Sequence, residues 1–167
     1  MEYNLDEVRS GKAAIKGIWS VLITLSAEEA LDFAERYSAT FDQVVRNDWH
    51  LAVGIKTVSG EQEQWQPNFE FQESIDQLRG DLKARGEDIP QLCIAFFDPH
   101  SDAIDDGCVI IPLDPSQIGN ANFYRQGFEQ THKAIRMSFQ SLGLSPYVRV
   151  PPKFMGALLK QLQKEQE

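Results

Sequence analysis

Between Phe96 and Cys108 the chain reads FFDPHSDAIDDGC, which places four aspartates, a histidine and a cysteine within thirteen residues. Carboxylates bind hard cations and imidazole binds borderline ones, so Asp98, His100 and Asp102 are candidate ligands for a divalent metal. A metal held there would activate a water, the chemistry of a small metal-dependent hydrolase. The spacing argues against the standard sites. Counted from Asp98, the glycine and glutamate positions of a calcium-binding EF-hand loop hold Ala103 and Val109. Cys93, His100 and Cys108 match no close-paired zinc motif. Asp-Pro and Asp-Asp-Gly are also turn chemistry, and a polar loop joining two apolar runs is the preferred reading.

A second constellation lies further along. Arg125, Glu129, His132 and Arg136 recur at i, i+4, i+7 and i+11, on one flank of a predicted helix. With Arg149 and Lys153 they are candidates for gripping a phosphate or carboxylate, including a nucleic-acid backbone. The competing expectation is pairing within the helix, from Glu129 to Arg125 and Lys133. A third pattern, Asp48 to Lys56, resembles a nuclease hairpin only loosely, because Gly54-Ile55 stands where the second carboxylate is needed. His50 and Lys56 share a face if residues 49–58 form one strand.

The elements that must position these groups follow from apolar periodicity. Ile18 to Leu25 is rich in branched and aromatic residues and predicts a strand. Ser26 to Glu29 forms a capping box that opens a helix with Ala30, Ala34, Tyr37, Phe41 and Val44 on one face. Alternating Trp49, Leu51, Val53 and Ile55 predict a strand to Val58, Ser59-Gly60 a turn, and Glu61 to Gln66 a polar edge strand. Phe71, Ile75, Leu78 and Leu82 mark a second helix that Gly86 stops. Leu92 to Phe97 and Cys108 to Leu113 are apolar on both faces and predict internal strands paired as a long-looped hairpin. A third helix is expected from about Ala121 to Leu142, a short strand over Pro146 to Val150, and a last helix after Pro151-Pro152. Asn4 and Glu7 suggest a short opening helix.

This order predicts an α/β fold, with α+β as the alternative: one domain over residues 1–167, a sandwich with a mixed sheet of four to six strands and three to five helices, frayed over about 1–15 and 163–167. At 167 residues with 42% hydrophobic and 25% charged content, one core suffices. No apolar run approaches the roughly 20 residues needed to cross a bilayer, and the N-terminus has no apolar signal region. Cys93 and Cys108 fit reduced, buried thiols, and a cytoplasmic location with no membrane partner is the expectation.

The net charge of −9 opposes general attraction to nucleic acid. Residues 121–167 nevertheless carry +4, which leaves −13 for the rest. The nucleophile elbow, the phosphate loop and the dinucleotide fingerprint are all missing from the sequence. The leading expectation is a non-enzymatic interaction protein, accessory, regulatory or inhibitor-like, that binds a protein partner and needs no cofactor. Trp65 and Phe123, aromatic and outside the helix stripes, are the side chains that suggest a contact surface. The metal-dependent hydrolase and an anion or nucleic-acid contact through the basic final third are the alternatives.

Overall fold

The structure, a computed structural model, describes residues 16–58, 64–98 and 108–166. The first strand, β1 (Ile18–Ile23), is buried at all six positions. Its one polar side chain, Ser20, is satisfied: it accepts from Trp49 Nε1 at 2.9 Å and donates to the His50 carbonyl at 2.9 Å. Helix α1 (Ala27–Val44) starts at the expected cap, where Ser26 Oγ accepts from Glu29 N. The Glu29 carboxylate reaches one residue beyond the usual box and takes the Leu25 amide.

Residues 49–58 are not one strand. They divide into β2 (Trp49–Ala52) and β3 (Ile55–Val58), which belong to different sheets. Ile55 N donates to Val53 O at 2.8 Å, closing a three-residue turn on Gly54. Gly54 is required there by packing, because a Cβ on it would lie 2.9 Å from Phe71 Cδ1. Strand β3 pairs instead with β4 (Gln64–Pro67), and Asn68 then caps α2 (Phe69–Ala84) by accepting from Phe71 N at 3.1 Å. His50 and Lys56 therefore share no strand face, which removes the geometric basis of the nuclease comparison. The Ser59-Gly60 turn and the Asn4 helix lie outside the described residues.

Strands β5 (Cys93–Phe96) and β6 (Val109–Pro112) pair antiparallel, as the two apolar runs require. A single turn of 3-10 helix at Pro115–Gln117 leads into α3 (Ala121–Ser141), and α4 (Pro152–Gln166) closes the described chain. Residues 146–150 form no strand. Tyr147 is instead turned towards α3, where its hydroxyl accepts from Arg136.

The main sheet runs β2-β1-β5-β6, with β1 and β2 parallel and the other pairs antiparallel. Alternation sends Ile18, Leu22, Leu51, Ile94 and Phe96 to one face, where they pack with residues of α1, α3 and α4. Trp19, Val21, Ile23, Cys93 and Ala95 go to the other, against Phe71, Ile75, Leu78 and Leu82 of α2. The result is an α/β sandwich with helices on both faces, which explains why its central strands read as unbroken apolar runs. One expectation changes: β6 is an edge strand, with Ile110 and Ile111 partly buried and Pro112 exposed, a position where the missing proline N–H costs no ladder bond. Among the described residues no helix is long and apolar enough to cross a membrane.

Candidate functional site

Of the predicted metal loop, Asp98 is described, half-buried just past β5, while His100, Asp102, Asp105 and Asp106 lie outside the described residues. Among the described residues no three His, Cys, Asp or Glu side chains group as a metal site. Cys93 and Cys108 are unpaired, and burial pushes their thiols up to about 11 and about 12. In that environment they pack as small apolar side chains.

The predicted anion-gripping residues divide. Arg125 pairs with Glu129 at 3.3 Å across one helical turn, on the exposed surface. Arg149 is exposed, and Lys153 is exposed with its ammonium 5.0 Å from the Phe154 ring centroid. His132 and Arg136 do meet an anion, and it is internal. His132 Nε2 lies 2.9 and 2.8 Å from the two carboxylate oxygens of Asp48, and Arg136 Nε contacts the same carboxylate. Asp48 is fully buried and also accepts from Arg46 N at 3.2 Å. Burial pushes its carboxyl up, but the His132 hydrogen bond and charge, the Arg46 amide and the Arg136 charge together outweigh this and hold it below the usual carboxylate range. Arg136 is itself placed by Tyr147, which accepts from it at 2.8 Å and stacks beneath it at 5.2 Å.

The backbone around Asp48 is equally constrained. Its carbonyl accepts from Ile18 N at 2.9 Å, and a Cβ on Gly17, which has φ +78°, would lie 2.2 Å from that oxygen. The triad of Asp48, His132 and Arg136 thus ties α3 to the start of the outer strand β2. It acts as a lock within the fold, and its members are committed to one another. The sequence placed His132 and Arg136 on one flank correctly, but Asp48 is 84 residues from His132 and no local pattern links them.

An open surface feature lies at the other end of the sheet. A groove of about 620 Å³ runs between β6 and α3, floored by Ile94, Ile111, Phe128 and Ala134 and walled by Phe123, with Glu165 of α4 at one side. Phe123 leaves about half of its surface in solvent. Gly127 lies in this wall of α3, and a Cβ on it would meet no atom within 4 Å. A side chain at that position of α3 would begin in open space. A smaller cleft of about 370 Å³ is lined by Glu28, Asp32, Leu92, Pro115 and Ile118.

The two depressions lie on either side of the segment Leu113 to Ile118, which core tyrosines fix in place. Tyr124 OH donates to the Asp114 carbonyl at 2.7 Å and Tyr37 OH donates to the Ile118 carbonyl. The two rings pack at a 32° tilt with centroids 4.7 Å apart, and burial pushes the Tyr124 hydroxyl up to about 12. Asp114 caps the 3-10 turn through Ser116 N at 2.9 Å and Ser116 Oγ at 2.7 Å. These hydrogen bonds tie the segment to α1 and α3. Of the two aromatic residues singled out from the sequence, Phe123 lines the groove, whereas Trp65 is half-buried and packs against the core. Comparison with known protein families, curated proteins and solved structures finds no match to this chain.

Proposed function

We propose that the protein is a non-enzymatic interaction domain, accessory or inhibitor-like in role, that binds a segment of a partner protein in the groove between β6 and α3. The observation that carries this reading is the groove itself: an open trough of about 620 Å³ with a mixed apolar and polar lining, a half-exposed phenylalanine on its wall and a glycine beside which there is open space. Mid-helix glycine costs roughly 0.5–1 kcal/mol relative to alanine, so its place in α3 is offset by something other than helix stability. A preformed trough with an aromatic rim is the form that interface hot spots take.

The test exploits the empty space at Gly127. In Gly127→Gln the new Cβ meets no atom within 4 Å and the helix gains propensity, so the fold is expected to persist while a side chain is added to the groove lining. Wild-type and variant proteins are immobilised in parallel and exposed to extract of the native host, with captured proteins quantified. The expected result is at least one protein retained by the wild type and depleted tenfold or more on the variant. Equal capture of every protein by both would contradict the reading.

A further inference from the structure

We infer that the segment taken up by this groove is basic as well as apolar, and that it continues over the Leu113 to Ile118 wall into the neighbouring cleft; this rests on the groove being the partner site. The residues lining the groove and the cleft include five carboxylates, Asp114, Glu165, Glu28, Glu29 and Asp32, and no lysine, arginine or histidine. Four of these carboxylates are partly engaged. Asp32 pairs with Arg36 at 3.0 Å, Glu29 accepts from Leu25 N, Glu165 accepts from Gln161 Nε2 at 3.1 Å and Asp114 accepts from Ser116. Glu28 and Asp114 are exposed, and Asp114 meets Ser116 through Oδ1 alone. The chain's own cations are concentrated elsewhere: residues 130–164 contain six Lys/Arg and no Asp or Glu.

An acidic rim around an apolar floor selects a partner segment in which Lys or Arg flanks one or two large apolar residues. The apolar side chains fill the floor over Ile94, Ile111 and Phe128, and the ammonium or guanidinium groups meet the rim. A segment carrying Asp or Glu at those places is repelled by the same charges. The backbone of β6 adds little. Leu113 N donates to Leu92 O, so by alternation Ile110 is the residue whose N–H and C=O point away from β5, and Pro112 has no N–H to offer. Specificity therefore comes from side chains and charge.

A displayed library of random dodecapeptides provides the probe. It is selected in parallel on the wild type, on Gly127→Gln and on the charge variant Glu28→Gln/Asp114→Asn/Glu165→Gln. Both variants are checked for a melting temperature no lower than that of the wild type, and asparagine at position 114 retains capping ability. The expected result is a peptide family with apolar residues flanked by Lys or Arg, enriched on the wild type and at least tenfold less on either variant, with binding that weakens as salt rises. A failure to enrich any family, or a family that survives Gly127→Gln, would overturn the groove reading itself. A family lost on Gly127→Gln that is neutral or acidic, or that binds the charge variant equally well, overturns the basic-partner inference and leaves the groove in place.

Discussion

Asp48 is the residue on which most separate constraints meet. A fully buried carboxylate costs several kcal/mol in lost hydration unless its oxygens are bonded and its charge is paired. Here His132, Arg136 and the Arg46 amide supply the compensation. Removing one partner should leave the charge under-compensated, so His132→Phe is expected to lose about 3 kcal/mol in urea unfolding. The pH dependence has a definite sign. Because the folded carboxyl lies below its unfolded value, the unfolded chain binds the proton more readily, and stability rises with pH through that interval. The contribution is present above about pH 4 and is lost as pH falls through the folded value. Acidification from about pH 5 to pH 3 should therefore lower the unfolding midpoint more steeply in the wild type than in Asp48→Asn. An identical slope in the two proteins would remove Asp48 from the account. Gly127 acts in the opposite direction: it weakens its helix and opens a surface, so replacing it should raise stability slightly while abolishing binding.

At the level of elements, order and type were legible in the chain because burial on both sheet faces leaves unbroken apolar strands and burial on one helix face leaves a stripe. The strand over 49–58 shows where that legibility stops. Alternation continued through Gly54, yet Phe71, seventeen positions further on, fills the space a Cβ would need and the backbone turns there. Gly54→Ala should accordingly cost about 1–3 kcal/mol, the range for overpacking a filled site, and the loss should be relieved in part by Phe71→Leu. The third helix illustrates the same limit for function. Of its predicted apolar stripe, Tyr124, Phe128, Ile135 and Phe139 are buried, whereas Leu142, the residue just past the last turn, is exposed. What its flank would meet was not readable, since the answer, Asp48, is brought over by the sheet. A sequence signal for the groove did exist in Gly127, a helix-weakening residue one step before a core phenylalanine, but periodicity alone gives such a glycine no meaning.

On the scale of the whole molecule, five carboxylates line the groove and cleft, an acid-free basic stretch occupies the second half of α3 and most of α4, and the Asp48 lock holds α3 to the far edge of the sheet. Such a distribution favours approach of a basic partner in one orientation and affects the rate of encounter more than the strength of the final contact. Substituting Lys153 and Lys160 together, both exposed and neither lining the groove, should leave partner affinity within about threefold of wild type, whereas neutralising the rim should slow association, measured by stopped-flow mixing at low salt. The most direct test of the central claim is the affinity of a single captured partner for wild type and Gly127→Gln, measured side by side by calorimetry. The groove account predicts binding at least tenfold weaker for the variant, with a melting temperature equal to or above that of the wild type. Equal affinity for the two proteins would contradict it.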